Sequence, residues 1–171
     1  MCHKKAVYLA IFSLIAIHIN AQKSTFIILR HAEKDTTVVG AQMMQSDPPL
    51  NTVGKKRAVS LVEKFKTYSI DKILSTNYDR TKSTVKPLAE ALNLDIQLYD
   101  PRNLKEFTAQ LLMNPNQNKT YLIVGHSNSS PKLVNLLIEK DQYKDLDESV
   151  YDTYWIVTIR NKKVKHAMYH F

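Results

Sequence analysis

The sequence predicts an α/β fold, a three-layer sandwich around a mostly parallel sheet with a β-hairpin at its C-terminal end. Three observations carry this. Short apolar runs alternate with amphipathic stretches along the chain. The runs are continuous, as in strands buried on both faces. The last two are separated only by Asn161-Lys162-Lys163, which is hairpin spacing.

In order, Thr25-Phe26-Ile27-Ile28-Leu29 is the first strand, and residues 32–50 form a loop closing on Asp47-Pro48-Pro49. Val53, Ala58, Leu61, Val62 and Phe65 then fall at helical spacing, with Asn51 as N-cap. Lys72-Ile73-Leu74-Ser75 is the second strand. Arg80 to Leu92 is the second helix, and Pro87 inside it implies a late start or a kink. Ile96 to Tyr99 is the third strand, and Pro101 opens a helix carrying Leu104, Phe107, Leu111 and Leu112. Thr120 to Val124 is the fourth strand. Ser130-Pro131 starts a helix through Leu133, Val134, Leu136, Leu137 and Ile138. Tyr154–Arg160 and Val164–Tyr169 form the hairpin.

The chain has 171 residues, enough for one domain with a sizeable core. Residues 1–21 stand apart from it: Lys4 and Lys5, an apolar run over 6–19 and small Ala21 have the layout of a secretory signal peptide. The run falls short of the roughly 20 residues that span a bilayer. The expectation is cleavage after Ala21, a domain over 22–171, and an exported, periplasmic or secreted protein with no membrane attachment afterwards. Cys2, the only cysteine, lies in that segment, so the mature chain has no thiol or disulfide. The formal net charge of +8 becomes +6 without Lys4 and Lys5. A basic surface suits an anionic substrate, while the absence of a basic stripe with interleaved aromatics gives nucleic acid little support. No spacing resembles a zinc site, and no metal or other cofactor is expected.

In a parallel sheet, ligands bind at the carboxyl ends of the strands. Strand one ends in Arg30-His31-Ala32-Glu33-Lys34, strand two is followed by Ser75 to Thr81 with Arg80, and strand four ends in Gly125-His126-Ser127-Asn128. Two histidines and two arginines thus share one edge. That set suits phosphoryl transfer to an imidazole, because guanidinium forks match phosphate oxygens and keep their charge. The Ser127–Ser130 loop leads into a helix N-terminus, which favours an anion. Gly125 permits close backbone approach.

These segments resemble the histidine phosphatase superfamily of phosphoglycerate mutase-like and acid phosphatase-like enzymes, over about residues 24–160. Leu29 to Glu33 is similar to its Arg-His-Gly-Glu signature, and Pro49 to Ala58 to the helix start that follows it. Ser75 with Arg80, Thr84 and Pro87-Leu88-Ala89 is similar to the second-arginine motif, and Val124 to Asn128 to the second-histidine motif. The resemblance implies a compact bacterial member acting on a small phosphorylated substrate. His31 would be the phosphorylated nucleophile, Arg30 and Arg80 the phosphate clamp, and His126 a donor to the phosphoryl oxygens. Lys34 and Asn128 would be further substrate contacts.

Three positions depart from the pattern. Ala32 replaces the signature glycine, and Lys34 stands where the acid phosphatase-like branch has a third arginine. Ser127 occupies the place of that branch's proton-donating aspartate. By the spacing of the mutase-like branch, Leu104-Lys105-Glu106 makes Glu106 the first choice of general acid, with Glu33 and Asp100 as alternatives. The expected activity is metal-independent phosphomonoester hydrolysis. A mutase, a phosphohistidine phosphatase and a non-catalytic phosphate-ester binder are the rivals. The plain alternative for Glu33 is a pairing with Arg57 or Lys34. His166 and His170 read as structural, and Tyr151, Tyr154, Trp155 and Tyr169 as hairpin packing or a rim for a ring-shaped substrate.

Overall fold

The computed structural model describes residues 22–37, 47–113 and 118–171; the predicted signal segment and residues 38–46 of the first loop lie outside them. The strands are β1 (Lys23–Arg30), β2 (Lys72–Ser75), β3 (Ile96–Leu98), β4 (Thr120–Gly125), β5 (Thr153–Arg160) and β6 (Lys163–His170). The helices are α1 (Thr52–Phe65), α2 (Asp79–Leu92), α3 (Leu104–Leu112) and α4 (Ser129–Ile138). The strands form one sheet in the order β3-β2-β4-β1-β5-β6. β1 to β4 pair in parallel, and β5 and β6 are antiparallel additions.

Period-two alternation divides the core between two faces. Phe26 and Ile28 of β1 pack with Leu104 and Leu111 of α3 and with Leu133, Val134 and Leu137 of α4. Ile27 and Leu29 point the other way, to Leu61 and Phe65 of α1 and Val85 and Leu88 of α2. Helices therefore cover both faces, the predicted three layers. The C-terminal Phe171 joins the second cluster, its ring centroid 6.2 Å from that of Phe65 and 5.0 Å from that of Tyr154.

Local rules account for most boundaries. Asn51 caps α1 by accepting from the Gly54 N–H at 2.9 Å, worth about 1 kcal/mol for such a cap. Gly54 is required there, since a Cβ would lie well inside contact distance of the Glu33 carbonyl oxygen. Asn161 and Lys162 both have positive φ, 48° and 64°, which joins Arg160 to Lys163 through a two-residue turn rather than three. α2 begins at Asp79 and runs through Pro87; Ser83, whose carbonyl loses its donor, is exposed to water. Pro101 does not open α3. The Asp100 carboxylate accepts from the Arg102 N–H at 2.9 Å and the Asn103 side chain at 3.3 Å, holding residues 100–103 as a turn.

Candidate active site

Sheet order places the chemistry. β4 and β1 are neighbours with Arg30 paired to Gly125, so His31 and His126 follow side by side, and the His31 N–H donates to the Gly125 carbonyl at 2.9 Å. On the other side of β4, Thr76 follows β2, and α2 carries Arg80 in its first turn. β5 runs antiparallel, so its start, with Thr153 beyond the Leu29–Tyr154 pair, lies at the same edge. The loop from α4 into β5 therefore returns to the site. Gly125 fits tightly here: a Cβ would approach the hydroxyls of Ser129 and Ser130 to 2.7 and 2.8 Å. Those hydroxyls are in use, Ser129 accepting from the His126 N–H at 2.9 Å and Ser130 donating to the Leu29 carbonyl at 3.0 Å.

The two imidazole centroids are 5.5 Å apart at 68°. His31 is 3% exposed. Its Nδ1 lies 2.8 Å from the Ala32 carbonyl oxygen. A carbonyl only accepts, so Nδ1 carries the proton and Nε2 the lone pair. Burial above all drives the His31 pKa down to about 2; the Ala32 carbonyl works against this, and His126, Arg30 and Arg80 add to it. The ring is neutral at any ordinary pH. His126 is held at about 4 by burial, Arg80 and Arg30, against the opposing charges of Asp47 and Glu148. Its Nε2 lies 3.0 Å from the Thr76 hydroxyl oxygen. That hydroxyl donates to Thr81 Oγ1, and Thr81 donates to main-chain carbonyls, so Thr76 must accept from His126. This leaves Nδ1 as the ring nitrogen available to a ligand.

The arginines flank the pair. Arg30 is 1% exposed. Its Nη1 donates to the Asp147 and Val150 carbonyls at 2.9 and 2.7 Å, and its Nη2 to Glu148 at 2.9 Å. Its buried Nε has no partner among the described residues, a desolvated donor that an anion would satisfy. Arg80 donates from Nη1 to Asp47 at 3.1 Å. Two tyrosines brace these groups. The Tyr151 ring lies 4.1 Å under the Arg30 guanidinium and 5.9 Å from His31. Tyr78 lies 4.4 Å under that of Arg80 and 4.9 Å from His126. Thr84 ties the walls together, accepting from the Ala32 N–H at 2.9 Å and donating to the Arg80 carbonyl at 2.7 Å.

A lone pair on a neutral, buried imidazole between two guanidiniums can attack phosphorus while the oxygens are held. Residues 26–120, more than half of the chain, match the histidine phosphatase superfamily (branch 1). The chain belongs to that superfamily. A probable phosphoglycerate mutase of Proteus mirabilis is 33% identical over 75 residues, 44% of this chain and 34% of its own length. Phosphoserine phosphatase 1 of Hydrogenobacter thermophilus is 37% identical over 70 residues, 41% of this chain and 33% of its own length. The chain thus spans about a third of the curated relatives it matches. The crystal structure of mycobacterial glucosyl-3-phosphoglycerate phosphatase superposes with a TM-score of 0.66 at 14% identity, covering 87% of this chain and 98% of that one. The histidine phosphatase fold is therefore shared well beyond the region of sequence similarity.

Within this superfamily fold, four expected residues, Arg30, His31, Arg80 and His126, come together. Lys34 stands at the rim, 3.7 Å from Glu148. Asn128 is exposed at the N-cap position of α4 and makes no capping bond. Glu106 is not brought to the cluster. It is exposed in the first turn of α3 and lines a separate surface cavity of about 430 Å³ with Lys72, Gln97 and Gln110. The alternatives are committed elsewhere. Burial raises the Glu33 carboxyl, but the Arg57 fork, with contacts of 2.6 to 3.1 Å, more than offsets this and holds it ionised. Asp100 is held low by hydrogen bonds from Arg102. Among the described residues, no group of three or more His, Cys, Asp or Glu side chains is placed to hold a metal ion.

Sequence reasoning missed Thr76, Tyr78, Asp47 and Glu148, and it assigned Tyr151 to the hairpin or a substrate rim although its ring braces Arg30. The available signal was the acidic stretch Asp145 to Glu148 just before β5. Its value depends on β5 being antiparallel, which the residues alone do not settle. His166 pairs with the Tyr143 hydroxyl at 2.9 Å, and His170, opposite Thr153 at the start of β5, pairs with Asp152 at 3.4 Å.

Proposed function

We propose that this chain is a phosphomonoesterase that works through a phosphohistidine on His31. The observation that carries the reading is the buried Nδ1–H···O=C bond to Ala32, which fixes the tautomer with its lone pair on Nε2. In the first displacement Nε2 bonds to phosphorus as the ester P–O bond breaks, and the departing oxygen takes a proton. In the second, water forms the new P–O bond, the P–N bond breaks, and neutral His31 is restored. Arg30 and Arg80 neutralise the non-bridging oxygens. His126, with Nε2–H committed to Thr76, engages them through Nδ1 once an anion has delivered or induced a proton there. The matched relatives bear names of phosphatases and mutases of small phosphate esters, and we infer a substrate of that class. We also propose that residues 1–21 direct export, on the support of their basic, apolar and small-residue layout. N-terminal sequencing of the mature protein, expected to begin at Gln22, checks this.

The test of the enzymatic reading is hydrolysis of 4-nitrophenyl phosphate without added metal, together with trapping of an acid-labile phosphoryl adduct. Both are expected to disappear in His31→Ala, with a loss of at least about 10³-fold in turnover. Unchanged turnover in that variant would exclude the mechanism. Phosphate-ester binding without an adduct in the wild type would establish a binder instead.

A further inference from the structure

The proposed chemistry needs a proton for the departing oxygen, and this inference rests on that reading. Four of the described carboxylates near the catalytic edge differ in what holds them. Glu33 has both oxygens on Arg57. Asp100 is locked into its turn by Arg102 and Asn103. Asp47 accepts from the N-terminal N–H groups of α2, at Asp79 and Arg80, as well as from Arg80 Nη1, so it serves as the missing cap of that helix. Glu148 is held differently. Among the described residues it receives no main-chain hydrogen bond; its partners there are the side chains of Arg30, Lys34 and Ser127.

Its position relative to the nucleophile is the stronger argument. His31 and Arg30 are buried, whereas the Glu148 side chain is 67% exposed and meets Arg30 from the solvent side, the mouth of the site. An in-line displacement expels the leaving oxygen on the side of phosphorus opposite the attacking nitrogen. From a buried His31, that direction is the mouth. The peptide carrying Glu148 is also fixed to the clamp, because the Asp147 and Val150 carbonyls both accept from Arg30 Nη1. Glu148 Oε2 lies 2.9 Å from Arg30 Nη2, and Oε1 lies 2.5 Å from the Ser127 hydroxyl, next in sequence to His126. One carboxylate thus spans both halves of the site on its open side.

We propose that Glu148 is the proton donor to the leaving oxygen, and the acceptor of the water's proton in the second displacement. At rest its carboxylate is ionised, held low by the Ser127 hydroxyl first, against a smaller opposing effect of burial, and then by Arg30 and Lys34. A phosphate ester takes over Arg30 and Lys34 and places negative charge beside Glu148. The carboxylate then binds a proton, from a monoanionic ester or from solvent. As Nε2 bonds to phosphorus, the electron pair of the breaking P–O bond takes that proton, yielding the alcohol and a Glu148 carboxylate. That carboxylate accepts a proton from the incoming water as P–N breaks.

The experiment compares Glu148→Gln and Asp47→Asn with wild type on two esters. One is 4-nitrophenyl phosphate, whose leaving group departs as a stable anion; the other is glycerol phosphate, whose alkoxide does not. Glutamine keeps an acceptor oxygen for Arg30 and offers an N–H that the Ser127 hydroxyl can accept, and an unchanged thermal midpoint verifies the fold. The expected result for Glu148→Gln is a fall in kcat of about 10²–10³-fold on glycerol phosphate but only about 10-fold on the aryl ester. Equal losses on both esters, or none, would overturn the assignment. So would a selective loss in Asp47→Asn but not in Glu148→Gln. A wild type that hydrolyses neither ester and forms no adduct refutes the phosphatase reading itself, a result distinct from any of these.

Discussion

The depressed titration of His31 has a consequence for stability that can be worked through from its burial. In the unfolded chain the ring protonates around its ordinary value of 6.5, and in the folded chain only around 2. The unfolded state therefore binds the proton first as pH falls. The contribution is complete above pH 6.5 and is lost progressively from there down through the folded value. At about pH 4.5 the unfolded ring is almost fully charged and the folded ring almost fully neutral, a loss of about 2.7 kcal/mol. His126, held at about 4, loses nearly the same, so the two together remove about 5 kcal/mol. That is a large fraction of a typical domain's stability of about 5–15 kcal/mol. The assay is urea unfolding in phosphate-free buffer at about pH 7.5 and 4.5, for wild type and for His31→Asn, whose amide can still donate to the Ala32 carbonyl. Carboxylates such as Glu33 and Glu148 are common to both proteins and cancel in the comparison. The variant should lose about 2.7 kcal/mol less than wild type on acidification. Equal losses would mean that His31 titrates as an exposed ring and that the neutral, preset nucleophile does not exist.

Two further substitutions probe how the loop bearing His31 is seated. Gly54→Ala drives a methyl group into the Glu33 main chain and should lower stability by about 3 kcal/mol in chemical denaturation; a loss under about 0.5 kcal/mol would show that the loop yields freely. Thr84→Val keeps the shape but leaves the buried Ala32 N–H without its acceptor. It should cost about 1–3 kcal/mol and lower kcat more than it raises KM, and an unaltered kcat in steady-state assays would sever the link from α2 to the nucleophile.

Much of this was legible in the residues because both kinds of pattern were local. Continuous apolar runs fixed β1 and β4, and the residues next after them, His31 and His126, could be placed at one edge before any pairing was known. Of the two partners weighed for Glu33, the structure has Arg57. What failed was longer in range. Glu106 was chosen by spacing along the chain, but the Asp100 turn delays the start of α3, and Glu106 lines a cavity on the β3 side of the sheet. Ser127 stands where one branch of the superfamily carries an aspartate, and its hydroxyl instead meets Glu148, a residue 21 positions later. No sequence period announces such a contact. It exists because an antiparallel strand begins where parallel strands end.

The same strand directions decide where the molecule tolerates a tether. Lys23, at the start of β1, pairs with Arg160 beside the β5–β6 turn, at the pole away from the histidines. Phe171 follows β6 at the opposite pole, under the Arg57 guanidinium at 5.4 Å, and Arg57 in turn grips Glu33, two positions past His31. A support or fusion partner joined ahead of residue 22 leaves the mouth unobstructed, whereas cargo spliced after Phe171 transmits its pull through Arg57 to the nucleophile's own loop.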